Sequence, residues 1–446
     1  MDPERTARYP FVSEAGRPPP VAIERTEGPW LIAADGRRIY DAAGGAIVSN
    51  IGHGRREVAE AAAAAMEEVT YVVPPFASPS RVRLVERLQD HWLPGDISRV
   101  VFTSGGSESM DAAIRLARQH HLSAGRPDRW KIISRELSYH GTTIGTLAIG
   151  GNTKRRAPFE PLLFDSPKAP NCYPLRCALC RGEGGCTLAC ADAIGDVILQ
   201  AGPETVAAFV GEPIVGSTAG AIVPPDGYWP RVAEICRKYG ILLIADEVMV
   251  GFGRTGRRFA LDHWDVVPDV LVAGKGLGGG YMPIGGVYTR EEVIAPIAAA
   301  GDELMFFTYS AHPAACAAAD KVLEIIDREG LVERAAEMGE RLRERLAPLQ
   351  DHPNVAEVRG RGLFQAVEFV RDRESLEPFP ADVRFAGRFV ATALGNGVFF
   401  YPGGCDPARD VVCFGPPFTI TMDEIDHIVG VFEKTLAEVL VSLEAA

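Results

Sequence analysis

Five short, continuously apolar runs between residues 99 and 274 limit the folds open to this chain more than any other feature. The runs are RVVFTS, WKIIS, VAAFVGEP, ILLIADEV and DVLVAG, and amphipathic or alanine-rich segments separate them. Continuous apolar runs that alternate with helical periods are typical of parallel strands covered by helices on both faces. The pattern therefore predicts one central α/β domain.

The two flanks of this region predict a second, smaller unit. The first 54 residues contain the hairpin-like stretch GPWLIAADGRRIYDAAGG, with an Asp-Gly turn at its centre. Beyond residue 325 the chain has helical stretches, the predicted strand pair VAEVRGRGLFQAVEFV and a final helix from Met422. We expect a large domain over residues 55–325, a small α+β domain over residues 326–446, and residues 1–54 packed with the small domain.

Charge and hydropathy exclude two broad classes of partner. The net charge is −13, and no basic run of five or more residues offers a surface for nucleic acid. No eighteen apolar residues run together, and the start of the chain shows no basic segment followed by an apolar one. We therefore expect a cytoplasmic protein with no membrane span and with its nine cysteines reduced.

We expect catalytic and binding residues to follow the apolar runs, because ligands bind beyond the carboxyl ends of strands in α/β sheets. After the first run comes TSGGSES, Thr103 to Ser109, and then a helical segment. Small residues at a strand-to-helix turn expose backbone N–H groups that suit a phosphate. The alternative is a plain capped turn, with Ser107 as the cap and Glu108 in the first helical turn.

Three more residues follow strand ends. Asp246 ends the ILLIAD run, where a carboxylate holds a metal, acts as a base, pairs with a protonated ring nitrogen or simply caps a turn. Tyr139 and His140 follow KIISRELS, where they either stack on a flat ligand and carry a proton or pack as ordinary side chains.

Lys275 is the most informative of these residues. It is one of only seven lysines, and it stands among glycines in VAGKGLGGGYMPIGGV. Because the chain otherwise uses arginine for positive charge, a retained lysine favours amine chemistry over a solvated loop charge. A neutral amine in a partly desolvated pocket attacks a carbonyl and forms a Schiff base. Together the phosphate turn, aromatic ring, aspartate and lysine fit pyridoxal 5'-phosphate.

A set of longer motifs resembles, in order and spacing, those of class III pyridoxal-phosphate aminotransferases. The motifs are TSGGSESMDAAIRLAR, YHGTT, GEPIVGS, LLIADEVMVGFGRTGR, AGKGLGGGYMPIG, FTYSAHPAACAAA and VRGRGLF, and the resemblance runs from about Gly28 to the final helix. The resemblance implies the α/β fold of fold-type I enzymes. In that fold a large, mostly parallel sheet domain is flanked by helices, and a small α+β domain is built from both chain ends.

The resemblance also implies roles for individual residues. Lys275 resembles the lysine that holds the cofactor as a Schiff base and moves the proton, and Asp246 resembles the partner of the pyridine nitrogen. Thr308 resembles a residue that reaches the phosphate of a neighbouring subunit, which implies a homodimer with shared sites and possibly a dimer of dimers. We expect the other cofactor contacts from Gly106, Ser107, Tyr139, His140, Glu212 and Val248.

The reaction implied by the resemblance is a ping-pong transfer of an amino group. An amine or ω-amino acid donates the group, and a keto acid such as pyruvate or an aldehyde accepts it. A decarboxylating transaminase or an amino-acid racemase keeps the same cofactor residues, so the motifs leave both open. A remote alternative from another class is a non-catalytic interaction protein stapled by zinc.

Three residues are candidates for contact with the substrate. Many relatives bind a substrate carboxylate through an arginine near the C-terminal PP, and Arg409 is the only arginine at hand here. It is either a carboxylate ligand or a solvated loop charge. The stretch TYVVPPFAS matches a segment that lines the pocket across the dimer, so Tyr71 and Phe76 predict tolerance for an apolar substrate body.

The segment 171–190 carries five cysteines and looks like an excursion from the sheet. Cys177, Cys180, Cys186 and Cys190 approach the spacing of a structural zinc site. Against zinc, the span is tight, and Cys172 adds a fifth thiol where four ligands suffice. Reduced packing thiols are the favoured interpretation, with metal and disulfide as alternatives.

Overall fold

The computed structural model describes residues 21–180 and 186–444. The first 20 residues of the expected N-terminal segment, five residues of the cysteine-rich insert and the last two residues lie outside the described part. The described strands are β1 Ile23–Glu27, β2 Trp30–Ala33, β3 Arg38–Asp41, β4 Ile97–Thr103, β5 Lys131–Arg135, β6 Lys168–Ala169, β7 Val206–Gly211, β8 Leu242–Asp246, β9 Val270–Ala273, β10 Gly285–Arg290, β11 Val355–Arg361, β12 Phe364–Phe369, β13 Val398–Phe399, β14 Tyr401–Cys405 and β15 Ala408–Phe414.

Helices separate most of these strands, as the alternating sequence pattern predicts. The α-helices are α1 Gly44–Ile47, α2 Arg56–Glu68, α3 Pro79–Arg87, α4 Gly106–Ser123, α5 Ile144–Ile149, α6 Thr153–Arg156, α7 Ala189–Ala201, α8 Tyr228–Tyr239, α9 Glu291–Ala300, α10 Pro313–Arg328, α11 Leu331–Leu346, α12 Phe385–Gly395 and α13 Met422–Glu444. Short 3₁₀ turns and one π turn, Leu88–Trp92, connect some of them.

The central sheet has seven strands in the order β4-β10-β9-β8-β7-β5-β6. All neighbouring pairs are parallel except those that involve β10, which is antiparallel to both β4 and β9. Every residue of β7, β8 and β9 is buried, so these continuous apolar runs occupy the middle of a sheet covered on both faces. The predicted large, mostly parallel sheet domain is confirmed.

Two smaller sheets lie outside the central one. Strands β11, β12, β15 and β14 form an antiparallel sheet, and the predicted strand pair forms its β11-β12 hairpin. The predicted N-terminal hairpin is β2-β3, with Gly36 at φ +85° in the turn. Strand β3 pairs in parallel with β13, so Tyr40 faces Val398 in the register and residues from both ends of the described chain share one sheet.

Sequence patterns missed the antiparallel strand β10 and the hairpin β14-β15. Strand β10, GGVYTR, follows the glycine-rich lysine loop and shows neither alternation nor a long apolar run. The β14-β15 hairpin contains Gly403 and Gly404, and glycines weaken strand propensity when sequence alone is considered. Tertiary pairing with β12 on one side supplies the stabilisation that local sequence lacks.

Helix length and apolarity also bear on membrane association. Among the helices of the described ranges, none combines the length and the hydropathy that a membrane-spanning segment requires.

Helix α11 packs against the β11-β12 turn so closely that a side chain at Gly339 has no room. A Cβ there would overlap the backbone of Gly362, which has a φ of +54°. We expect Gly339→Ala to lower the free energy of unfolding by ~1–3 kcal/mol, because the helix must move off the turn. Urea unfolding followed by circular dichroism measures the change.

Gly430→Ala is the matched control for this substitution. Gly430 is an exposed glycine of α13, and a Cβ there meets no atom within 4 Å. This variant should stabilise the protein by ~0.5–1 kcal/mol through helix propensity. Equal effects of the two substitutions would contradict the packing argument.

Candidate active site

A cavity of about 150 Å³ lies where the central strands end. It brings together most of the cofactor contacts that the sequence predicts, from motifs more than 160 residues apart. Its lining residues are Gly106, Ser107, Tyr139, His140, Gly141, Glu212, Ile214, Ser217, Asp246, Val248, Met249 and Lys275. A larger cleft of about 1320 Å³ lies elsewhere, beside α11 and β11, and holds none of the predicted contacts.

Lys275 follows β9 by two residues and begins a short 3₁₀ turn, Lys275–Leu277. Its φ of +40° is a left-handed conformation, which costs a residue with a side chain about 1–2 kcal/mol. Burial lowers the pKa of Lys275 to about 8, although Asp246 and Glu212 oppose the shift. About a tenth of the amine is therefore neutral and nucleophilic at pH 7, far more than for a lysine with the ordinary pKa.

Asp246 is the last residue of β8 and is 5% exposed. Its Oδ2 lies 2.7 Å from His140 Nδ1, and its Oδ1 accepts a hydrogen bond of 3.1 Å from the Val248 backbone N–H. Asp246 thus caps a turn, which was one of the alternatives that the sequence left open. It also pairs with His140, which lies 106 positions earlier in the chain.

The turn before α4 is not capped by Ser107, as the capped-turn alternative predicts. The helix begins at Gly106, and its N-cap residue is Gly105, with no side-chain cap. Ser107 is not the cap; its Oγ accepts a 3.1 Å hydrogen bond from the Thr142 backbone N–H. A Cβ on Gly106 would lie 2.7 Å from Val248 Cγ1, so this position has no room for a side chain.

Glu212 is the second residue of the sequence motif GEPIVGS, directly after β7, and is buried. Its carboxylate accepts hydrogen bonds from the backbone N–H groups of Gly216, at 2.9 Å, and Tyr139, at 3.3 Å. Burial nevertheless raises its pKa, and Lys275 shares the cavity with it. Glu212 therefore ties the Tyr139 segment to the end of β7.

Sequence patterns missed two kinds of residue near this cavity. Ser217 and Met249 line it but belong to stretches with no distinctive chemistry of their own. Arg155 lies with its guanidinium carbon 4.5 Å from the centroid of the Tyr139 ring. The sequence signal at this position is the basic run KRR, which is more typical of a solvated surface.

Three predicted site residues lie away from the cavity in the same chain. Tyr71 donates a 2.9 Å hydrogen bond to the Thr308 carbonyl, and its ring centroid is 6.1 Å from that of Tyr309. Phe76, on the same loop as Tyr71, is 64% exposed. None of them is among the residues that line the Lys275 cavity.

Arg409 is engaged by Asp406 of its own hairpin and by the backbone of Phe379. Its Nε and Nη2 donate to Asp406 Oδ1 at 2.8 and 2.6 Å, and Nη1 donates to the Phe379 carbonyl at 3.1 Å. It is not among the lining residues of the cavity. The structure thus places Arg409 in a local ion pair, and a role as carboxylate ligand stays a prediction without geometric support.

The cysteine-rich segment divides into buried and exposed thiols. Cys172, Cys177 and Cys190 are buried members of an apolar cluster, and Cys190 belongs to helix α7, as packing thiols would. Cys180 and Cys186 flank the undescribed residues, and their Sγ atoms lie 3.9 Å apart, beyond disulfide distance. All five thiols are free, and within residues 21–180 and 186–444 no group of three or more His, Cys, Asp or Glu is placed to hold a metal ion.

Comparison with known families agrees with this geometry. A family model described as Aminotransferase class-III matches residues 11–436. The chain belongs to the class III aminotransferase family. The resemblance noted in the sequence is thereby confirmed, and class III aminotransferases depend on pyridoxal phosphate.

Solved structures and curated relatives agree with the assignment. An (S)-enantioselective omega-transaminase from Thermomicrobium roseum is 39% identical to this aminotransferase, with 98% of each chain covered and a TM-score of 0.90. The omega transaminase from Pseudomonas jessenii in complex with PMP is 32% identical, with 98% of each chain covered and a TM-score of 0.90. Putrescine–pyruvate aminotransferase from Pseudomonas aeruginosa is 35% identical over 93% of this chain and 90% of its own length.

The residues of the cavity fit the family's cofactor. Lys275 offers an amine for its aldehyde, and Asp246 offers a carboxylate for its ring nitrogen. Gly106 and Ser107 begin the 18-residue helix α4, whose first backbone N–H groups have no partner within the helix and favour a phosphate. In addition, the buried Nε2 of His140 finds no hydrogen-bond partner in the described part of the chain.

The lowered pKa of Lys275 predicts a pH-dependent stability for the protein without cofactor. The unfolded chain keeps this proton up to the ordinary pKa of 10.5, whereas the folded protein releases it near 8. The unfolded state therefore binds more protons between these values, and this term raises stability as pH rises through the window. We expect Lys275→Met to be more stable than the original chain at pH 7, by up to ~3 kcal/mol.

This difference should shrink as the pH approaches 10, because the original chain then loses its buried charge. Urea unfolding of the cofactor-free proteins at pH 7, 8, 9 and 10 measures it. Lys434→Met is the control, since Lys434 is exposed and its substitution should give the same small difference at every pH. If the difference in free energy of unfolding between Lys275→Met and the original chain stays constant with pH, the claim that burial destabilises the Lys275 ammonium is wrong.

Proposed function

We propose that this class III aminotransferase moves an amino group from an amine or ω-amino acid to a keto acid such as pyruvate by a ping-pong mechanism. The observation that carries the proposal is the cavity in which the partly buried amine of Lys275, with its pKa near 8, lies with Asp246 and the start of α4. These groups match, one by one, what pyridoxal phosphate needs from a protein.

Each residue of the cavity has a distinct task in this proposal. Pyridoxal phosphate, when bound, withdraws electrons from the substrate carbon and so makes its hydrogen acidic. Lys275 holds the cofactor aldehyde and afterwards moves a proton at its Nζ, a task that a pKa near 8 suits. Asp246 keeps the ring nitrogen protonated, and His140 Nδ1 holds the aspartate in place at 2.7 Å.

Two further groups of the cavity orient and enclose the cofactor. Tyr139 lines the cavity with its aromatic ring and offers a face for stacking, while Val248 and Gly106 pack against each other on the wall near the start of α4. Glu212 fixes the backbone of Tyr139 through a 3.3 Å hydrogen bond.

The names of relatives and the loop near Phe76 support the proposed substrate class. Relatives named for putrescine and pyruvate, and structures named omega-transaminases, support an amine whose amino group is remote from any α-carboxylate. The exposed side chains of Tyr71 and Phe76 add an apolar surface that suits the body of such an amine.

We also propose that the chain works as a homodimer. Thr308, Tyr71 and Phe76 lie away from their own Lys275 cavity, which fits residues that serve the cavity of a second copy. Neighbouring apolar side chains are exposed to an unusual degree, with Met305 at 70% and Tyr309 at 64%. Such a patch is typical of a protein–protein interface.

Transamination predicts a two-stage change in the visible spectrum of the cofactor-loaded protein. An amine or ω-amino acid donor should abolish the cofactor's visible band, and pyruvate should restore it. Lys275→Ala should lower the turnover number by at least ~10³, because the proton shuttle is lost. Stopped-flow absorbance measures both half-reactions.

Product analysis is the control for the alternative reactions of the same scaffold. Carbon dioxide release would indicate a decarboxylating transaminase, and loss of optical activity without a keto acid product would indicate a racemase. A visible band that no donor abolishes would contradict transamination with the donor classes named above.

The dimer predicts that charge in the exposed patch separates the subunits. Met305→Asp combined with Tyr309→Asp should shift the sedimentation coefficient from that of a dimer toward that of a monomer, because two charges then lie in an apolar interface. Val441→Asp is the matched control, since Val441 is 65% exposed on helix α13, away from this patch. A protein that sediments as a monomer before substitution would rule the dimer out.

A further inference from the structure

Arg155 is an exposed cation beside Tyr139, a residue that lines the Lys275 cavity, and no sequence motif gives it a role. It belongs to the helical turn α6, and its guanidinium carbon lies 4.5 Å from the centroid of the Tyr139 ring, which lines the cavity.

The turn that carries Arg155 is held by its neighbours. Asn152 caps it, because its Oδ1 accepts a 3.2 Å hydrogen bond from the Arg155 backbone N–H. Arg156 Nη1 donates to the carbonyls of Ala148 and Gly150 at 3.0 and 2.8 Å, at the end of α5. One arginine thus anchors the turn to the helix before it, while the adjacent one is placed beside Tyr139.

Arg155 differs from two nearby arginines, Arg156 and Arg409, in having no acidic partner. Arg156 pairs with Glu160, and Arg409 pairs with Asp406. Within the described ranges no Asp or Glu lies within ion-pair distance of Arg155, whose side chain is exposed. A planar guanidinium with free N–H donors is the group that binds a carboxylate most effectively, through two parallel hydrogen bonds.

The negative charges of the cavity favour a nearby cation when the substrate carries a carboxylate. Asp246 and Glu212 both line it, and either carboxylate repels a negatively charged substrate. A keto acid must nevertheless bring its carbonyl carbon to the cofactor while its carboxylate stays close by. The positive charge of Arg155, beside Tyr139, offsets this repulsion for the substrate carboxylate, which does not react.

We propose that Arg155 binds the carboxylate of the acceptor keto acid, with Tyr139 supporting the guanidinium, and that it thereby selects keto acids over uncharged acceptors. This inference rests on the proposed aminotransferase function and deepens it by naming the recognition residue. Arg155 is a specificity residue here, because it contacts the substrate but takes part in no bond change.

The test compares a charged and an uncharged acceptor in the cofactor-loaded enzyme. In Arg155→Met, we expect the KM for pyruvate to rise by about tenfold to a hundredfold while kcat changes little, since a hydrogen-bonded charge contact is lost. The kcat/KM for propanal, which has no carboxylate, should stay unchanged. Arg155→Lys should retain part of the pyruvate preference, because charge remains but the planar fork does not.

A binding measurement without turnover separates recognition from catalysis. Propionate is an unreactive carboxylate, and its binding should perturb the cofactor's visible band in the original enzyme. In Arg155→Met, the half-saturating propionate concentration should rise by a similar factor of about ten or more. Unchanged propionate binding in this variant would overturn the proposal.

Two further variants complete the design. Lys154→Met removes the adjacent exposed cation and should leave both acceptors and propionate binding unchanged, which shows that the effect is local to Arg155. Arg409→Met tests the rival arginine, and a pyruvate-specific loss there, with none in Arg155→Met, would overturn the proposal. If no donor abolishes the visible band of the original enzyme, the aminotransferase function fails, whereas propionate binding still reports on Arg155.

Discussion

The partial burial of one amine, that of Lys275, is the constraint on which the rest of the site depends. A charged ammonium is costly in a buried position, so the surroundings either neutralise it or supply opposite charge. Here both occur, since burial lowers its pKa to about 8 while Asp246 and Glu212 limit the shift. The outcome is an amine that changes protonation state close to neutral pH, which a proton shuttle requires.

Strand register sets the relation between this amine and its acidic partner. Asp246 pairs with Val272 in the parallel ladder of β8 and β9, and Lys275 follows three residues later. The Glu247 backbone N–H donates to the Val272 carbonyl at 2.8 Å and continues the contact beyond the strand. The separation of the two functional groups is therefore a property of the sheet and not of flexible loops.

Backbone conformation adds a second requirement. Lys275 adopts a left-handed φ of +40°, and Gly106 leaves no room for a side chain beside Val248. The strained backbone conformation of Lys275 persists only where surrounding packing enforces it, and such strain is concentrated at functional sites. The well-packed central strands supply that enforcement, because all residues of β7, β8 and β9 are buried.

The sequence by itself determined the central sheet and the strand-end positions of Asp246 and Lys275, because apolar runs report burial directly and strand ends follow from them. It also determined the family, because the motifs are read directly from the sequence. Tertiary structure alone decided that His140 meets Asp246 across 106 positions, that Arg409 pairs with Asp406, and that Arg155 lies beside Tyr139. Those contacts depend on strand order, hairpin geometry and side-chain direction, which join residues far apart in the chain. Local sequence patterns carry no record of them.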